Sequence, residues 1–294
     1  MRRLSVLTIK CALAILIGLA GLNEALAQEP SWVTGSVSSS DGVQISYQTT
    51  GEGPVSLVFV HGWLCDRTYW REQLEFFAQN YRVVALDLAG HGESGRNREN
   101  WTIRAFGHDV ASVMEALQLK RVVLIGHSMG GAVVVEAARL APQNVIGLVG
   151  VDTLHDPDAP GMSEEDIKRS VARYKDDFEG GIQRLALAVM FVPSSDLGLR
   201  NWIVRDMSLS PPEVGRESLR ATLRWHSTTR SEALAALPAP VRLINSNLFP
   251  INSPSLAKYG MEVEIMPGVG HFLMLEAPEE FNDLLAAAID EFAD

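Results

Sequence analysis

Arg121-Val122-Val123-Leu124-Ile125, then Gly126-His127-Ser128-Met129-Gly130-Gly131, then Ala132 to Leu140 is the stretch on which the fold reading turns. A short run of aliphatic residues, a glycine-flanked serine and a helix-length apolar run predict strand, tight turn and helix in succession. A serine on such a turn sits in strained backbone with its hydroxyl exposed, and Gly126 and Gly130 leave room where side chains would collide. The helix N-terminus behind it adds positive potential for an anion.

Working outward, the same kind of strand recurs at Val55–Val60, Tyr81–Leu86, Val145–Val151, Val241–Ile244 and Glu262–Met266. Most of these runs are separated by amphipathic segments of helix length, the pattern of a parallel sheet covered on both faces. Upstream, two alternating segments at Val33–Ser38 and Val43–Thr49 flank Asp41-Gly42 and precede the turn Gly51-Glu52-Gly53-Pro54, which predicts an antiparallel opening. Between Val151 and Val241 no strand-like run occurs. Helical patches at Ser163–Phe178, Ile182–Phe191 and Glu213–Trp225 are broken there by Pro193, Pro211 and Pro212. The expected class is therefore α/β, a mostly parallel central sheet with helices on both faces and an inserted helical cap. Residues 28–154 and 237–294 form the two parts of the core, 155–236 the cap, and a helix from Pro278 to Phe292, opened by Pro-Glu-Glu, closes the chain.

The first residues read differently. Arg2 and Arg3, the apolar Cys11–Leu22 and Ala25-Leu26-Ala27 have the charge, core and cleavage pattern of a secretory signal peptide, expected over residues 1–27. The apolar stretch falls short of a membrane-spanning helix, so no stable membrane anchor is expected after cleavage, and the mature chain is expected in the periplasm or outside the cell. Cleavage removes Arg2, Arg3 and Lys10 against Glu24, taking the formal charge from −11 to −13. So acidic a chain is a poor partner for nucleic acid or an anionic membrane. Cys11 leaves with the leader and Cys65 remains alone, so no intramolecular disulfide can form and Cys65 is expected as a buried packing residue. The oligomeric state is open.

A serine is a weak nucleophile at neutral pH and needs a base. His271 in Gly268-Val269-Gly270-His271-Phe272 lies after the last strand and before the final helix, which puts it at the same carboxyl edge of the sheet as Ser128. The negative oxygen of a tetrahedral intermediate needs fixed donors, and backbone amides serve best. One is expected from Met129 and the other from Trp63, in the loop Val60-His61-Gly62-Trp63 after the third strand. The Trp63 side chain would then face the acyl pocket, with His61 serving loop structure. No metal and no organic cofactor is called for, and no H-E-x-x-H or Cys/His ligand set is present.

Together with Asp87-Leu88-Ala89-Gly90-His91-Gly92-Glu93-Ser94 after the fourth strand, these residues carry a resemblance. From about Val43 to the end, most weakly over the cap, the chain resembles α/β-hydrolases of the capped esterase, epoxide hydrolase and haloalkane dehalogenase group. The resemblance implies that the stretch with Gly90, Gly92 and Ser94 is a structural turn. It also implies that epoxide opening and halide removal, which use an aspartate where Ser128 stands, are not this chain's reactions. Family members most often supply the acid that orients the histidine from the loop after the strand at Val241–Ile244. That loop reads Asn245-Ser246-Asn247-Leu248-Phe249-Pro250, and Phe249 stands at the acid position. The preceding strand offers Asp152 in Gly150-Val151-Asp152-Thr153, and certain haloalkane dehalogenases and lipases place their acid there. Neighbouring strands lie only about 4.8 Å apart, so a carboxylate moved by one strand still reaches. Asp156 is the second choice for the acid, a helix-cap or hinge role is the competing reading of Asp152, and Glu276 is expected to support the start of the final helix.

The expected activity is hydrolysis of a carboxylic ester of a small molecule through an acyl-enzyme on Ser128. The same constellation serves lactones, amides and carbon–carbon bonds beside a ketone, and a ligand-binding protein with a degenerate pocket is the rival that Phe249 keeps open. Trp202, Trp225, Met190 and Phe191 are the candidate pocket residues from the cap.

Overall fold

The computed structural model describes residues 31–293, so the expected leader lies outside the described residues. Eight strands, β1 (Val33–Ser38), β2 (Gln44–Thr50), β3 (Ser56–Val60), β4 (Arg82–Leu86), β5 (Val122–His127), β6 (Val145–Val151), β7 (Val241–Ser246) and β8 (Glu262–Met266), form one sheet in the order β1-β2-β4-β3-β5-β6-β7-β8. β2 pairs antiparallel with β1 and β4, and every later pairing is parallel.

Alternate side chains of one strand enter opposite layers. Val58 and Val60 pack in one with Phe106, Val110 and Val133, while Leu57 and Phe59 pack in the other with Trp70, Leu74 and Phe281. A strand buried on both faces has no polar alternation, which is why these runs read as continuous apolar stretches. Each such large side chain taken from water contributes about 1.5–3 kcal/mol. Helices α1 (Arg71–Phe77), α2 (Ile103–Ala116) and α3 (Met129–Leu140) connect the earlier strands.

Five helices stand between β6 and β7: α4 (Glu164–Ala172), α5 (Phe178–Val189), α6 (Leu197–Ser208), α7 (Pro212–Thr228) and α8 (Arg230–Ala235). The run predicted as one patch from Ser163 to Phe178 is interrupted, because Asp177 takes the Gly180 N–H and caps a new helix. Asp196 does the same for α6, taking the Leu199 N–H, a helix the apolar pattern did not foretell. After β7 come α9 (Ser253–Lys258), α10 (Leu273–Glu276) and α11 (Pro278–Ala293).

Candidate active site

The parallel ladder sets the level of the site. Gly126 lies opposite Gly150, His127 opposite Val151, and Val151 opposite Ile244. One residue further on, the chain turns out of both inner strands in left-handed backbone, Ser128 at φ +53° and Asp152 at φ +44°. Such conformations cost non-glycine residues about 1–3 kcal/mol each and persist only where surroundings enforce them. Here the Ser128 N–H donates to Val151 O at 2.9 Å and the Asp152 N–H to Ile244 O at 3.0 Å. Thr153 Oγ1 donates to Ser128 O at 2.9 Å, and Asn245 grips both backbone groups of Thr153. The turn itself demands its glycines: a Cβ at Gly126 would stand 2.3 Å from Gly130 O, and one at Gly130 2.5 Å from Val60 O. Ser128 is the N-cap of α3, yet its hydroxyl is not used in capping the helix. Among the described residues no hydrogen bond joins that hydroxyl to His271, the looser form that such pairs often take without substrate.

The His271 ring joins the strand ends directly. Its Nδ1–H donates to Asp152 Oδ2 at 2.5 Å, which leaves the Nε2 lone pair free. The other carboxylate oxygen, Oδ1, accepts from the Ser246 N–H and Ser246 Oγ, both at 2.9 Å, and at 3.4 Å from His155 Nε2. Burial pushes the Asp152 carboxyl up, but the hydrogen bonds from His155 and His271 outweigh it and hold the group well below the usual carboxylate range. Asp152 is therefore a buried anion at neutral pH.

Both backbone groups of His271 are also held: its N–H donates to Met190 O at 2.8 Å, and its carbonyl accepts from His127 Nε2 at 2.9 Å. Burial, and after it the charge of neighbouring His271, push His127 down to about 3, so His127 is a neutral ring carrying its proton on Nε2. Its Nδ1 faces Gly62, where a Cβ would stand 2.8 Å away and also 3.2 Å from Ser128 Cβ. The third-strand loop thus lies against the serine only because residue 62 lacks a side chain. Trp63 follows, and among the described residues neither its N–H nor that of Met129 finds an acceptor.

The remaining expected residues fall as follows. The Trp63 indole donates to Gly215 O of α7 at 2.8 Å and meets Tyr174 edge-on, so its side chain is rooted in the inserted helices. His61 is fully buried, receiving the Leu88 N–H on Nε2 and donating from Nδ1 to Gly62 O, a tie between two loops. Cys65 is a buried free thiol. Asp87 is enclosed by the N–H groups of Arg67 and Glu93 and by the Arg67 guanidinium, a structural turn. Asp156 accepts from the Asp158 N–H instead of from His271. Phe249 lies edge-on to both His271 and His155, centroids 6.1 and 5.5 Å away. Phe191 stacks on Phe272 and Trp202 lies against Tyr69, whereas the Trp225 indole is spent on Glu136 of α3. Glu276 does not support the final helix: its carboxylate turns back to the Gly270 N–H and to Ser195 Oγ. Ser246, His155 and His127 were not foreseen. The roles of Ser246 and His127 depend on contacts across about 90 to 150 residues, which no local pattern encodes, while His155 lies three residues from Asp152 and turns on the geometry of that bend.

Comparison with known proteins shows the family. The chain is 28% identical over 271 residues to the dihydrolipoyllysine-residue acetyltransferase component of the acetoin cleaving system of Cupriavidus necator, covering 83% of this chain and 66% of that protein, so it spans just under two thirds of that relative's length. It is 28% identical over 272 residues to a non-heme haloperoxidase of Rhodococcus erythropolis, covering 85% of this chain and 97% of the relative. Among solved structures, Est816, described as an N-acyl homoserine lactone degrading enzyme, superposes with a TM-score of 0.72 at 27% identity, covering 86% of this chain and 99% of Est816. The family model for the alpha/beta hydrolase family matches residues 57–284. A strained serine elbow, a histidine loop beside it and an eight-stranded, mostly parallel sheet beneath them fit that match, and the chain belongs to the alpha/beta hydrolase family.

Proposed function

We propose that the chain is a serine hydrolase that cleaves a small-molecule carboxylic ester through an acyl-enzyme on Ser128. The observation that carries the reading is the 2.5 Å bond from His271 Nδ1 to the buried Asp152 carboxylate, at the sheet edge where Ser128 turns out of β5. With that proton anchored, His271 Nε2 takes the Ser128 hydroxyl proton while Oγ bonds to the ester carbonyl carbon. The Trp63 and Met129 N–H groups receive the oxyanion, and their lack of other acceptors supports the role. Collapse expels the alcohol, which leaves with the proton from His271. A water then gives its proton to His271 and its oxygen to the acyl carbon, releasing the acid and restoring the serine. Asp152 keeps His271 in the productive tautomer throughout. The helices between β6 and β7 act as the cap over the site, and the enzyme works in the periplasm or outside the cell, on the leader pattern of residues 1–27.

A lactone is the second reading. Its ring carbonyl undergoes the same attack, and the 27% identity with a lactone-degrading enzyme favours it over amides or carbon–carbon bonds. The test is hydrolysis of p-nitrophenyl esters of several lengths and of an N-acyl homoserine lactone, with fluorophosphonate labelling alongside. Ser128→Ala is expected to abolish turnover and labelling, and Asp152→Ala to cost about 10³-fold or more while Asp156→Ala stays near normal. A folded wild type that takes up no fluorophosphonate and turns over no substrate sinks the proposal in favour of a binding protein.

A further inference from the structure

We propose that Glu276 is a positioning residue that fastens the inserted helices to the loop carrying His271, so that base and insertion are placed together. The proposal rests on reading His271 as the base. Glu276 bridges two segments that are remote in sequence. One carboxylate oxygen, Oε1, accepts from the Gly270 N–H at 3.1 Å, one residue before His271. The other, Oε2, accepts from Ser195 Oγ at 2.5 Å, in the α5–α6 connection. Ser195 Oγ in turn receives the Val192 N–H at 3.1 Å, which folds that connection onto itself.

Two further bonds run the same way: the His271 N–H to Met190 O at 2.8 Å, and Ser194 Oγ to Gly268 O at 3.2 Å. The segment 190–195 and the loop 268–276 are thus laced by polar bonds on both sides of the histidine. The approach is close enough to forbid a side chain at residue 270, where a Cβ would lie 2.5 Å from Met190 O and 2.7 Å from Glu276 Oε1. A cleft of about 410 Å³ opens beside the lacing, between Leu199 on one side and Val269 and Leu275 on the other. Apolar side chains pack across the seam as well, Met190 sharing a buried cluster with Phe272 and Leu275, and Phe191 packing against it and stacking on Phe272. Apolar contacts are not directional, so the stack holds the segments together while the carboxylate sets their registration.

Registration matters because the reacting groups tolerate misplacement of well under an ångström. His271 must keep Nδ1 on Asp152 and at the same time bring Nε2 to the serine. A ligand that shifts the insertion therefore shifts the base with it, which makes substrate fit under the insertion a condition for a competent histidine.

The test compares wild type, Glu276→Ala, Glu276→Gln and Ser195→Ala in p-nitrophenyl acetate turnover and in amide hydrogen exchange, with melting temperature recorded for each. Glu276→Ala is expected to lower kcat about 10-fold or more with KM within about twofold, and to speed exchange in 190–195 and 268–276 together. Ser195→Ala cuts only one arm and is expected to fall between. Gln keeps an oxygen for the Gly270 N–H and turns an N–H toward Ser195 Oγ, so it is expected to restore kcat to within about threefold. Unchanged kcat in Glu276→Ala, a Gln variant as slow as Ala, or faster exchange in only one segment overturns the proposal. Should the wild type neither hydrolyse the ester nor label with a fluorophosphonate, the reading of His271 as base fails, while the exchange measurement still decides whether Glu276 couples the two segments.

Discussion

Asp152→Asn is the most informative single change, because the surroundings of the carboxylate dictate which way the amide must point. Asp152 Oδ1 receives two donors from Ser246, a backbone N–H that cannot turn and a hydroxyl that can. An asparagine placed there keeps its oxygen toward Ser246; the flipped amide would set its NH2 against the fixed N–H and leave a buried donor unpaired, at about 1–3 kcal/mol. That preference is about 5- to 150-fold, and it directs the NH2 at His271 Nδ1. The ring must then accept at Nδ1 and carry its proton on Nε2, with no lone pair for the serine. The expected loss in kcat is about 10⁴-fold, or ~5 kcal/mol of barrier, with little change in melting temperature because the side chain keeps its shape and most of its bonds. Burst and steady-state hydrolysis of p-nitrophenyl acetate, with fluorophosphonate labelling rates, measures it. Retention of a tenth or more of wild-type kcat by a folded Asp152→Asn protein would refute the tautomer argument and the role given to Asp152 with it.

Three further outcomes follow from neighbouring geometry. Restoring an acid to the β7 loop, Phe249→Asp in an Asp152→Ala background, is expected to recover about 10-fold of the lost kcat, since Phe249 already faces His271; no recovery would mean that this loop cannot bring a carboxylate to the ring. Gly62→Ala would set a methyl 3.2 Å from Ser128 Cβ and 2.8 Å from His127 Nδ1, and is expected to slow Ser128 labelling about 100-fold or more; labelling at the wild-type rate would disprove the close approach of that loop. Burial pushes His91 and His127 down to about 3. Between about pH 6.5 and that value the unfolded chain binds protons that the folded chain refuses, so these histidines leave stability intact above pH 6.5 and erode it as pH falls. Melting temperature is expected to drop from pH 7 to pH 5, less steeply in His91→Gln, and equal slopes in the two proteins would refute the assignment.

What the sequence makes legible is whatever a local steric or solvation demand imposes. The serine elbow can be read because Gly126 and Gly130 face backbone oxygens at distances no Cβ survives. The inner parallel strands can be read because burial on both faces removes polar alternation, and Val145–Val151 coincides with its predicted bounds, as do the two more exposed outer strands Val33–Ser38 and Glu262–Met266. The inserted helices are less legible. Their boundaries are set by Asp177 and Asp196 capping in place, and an aspartate before a phenylalanine or leucine reads equally well as loop. Glu276 misleads for a related reason: proximity to Pro278 suggests a helix start, but the α10 turn carries its carboxylate back toward Gly270, and only the fold puts Ser195 within reach.

The acid position shows how a local loss is offset by the ladder. The β7 loop has Phe249 where relatives of the resembling group most often carry an aspartate, yet β7 has not left the charge network, because its last residue supplies two of the bonds that keep Asp152 ionised inside the protein. Hydrogen bonds to the charged form favour it, so removing those donors moves the carboxylate back up toward its usual range while the bonds from His155 and His271 go on holding it down. Ser246→Val, which deletes the hydroxyl but keeps the backbone N–H, is expected to raise the pH at which kcat is half lost on the acid side, without abolishing activity at alkaline pH. An acid limb unmoved by Ser246→Val would mean that the backbone N–H and the histidines suffice, and that the hydroxyl contributes packing alone.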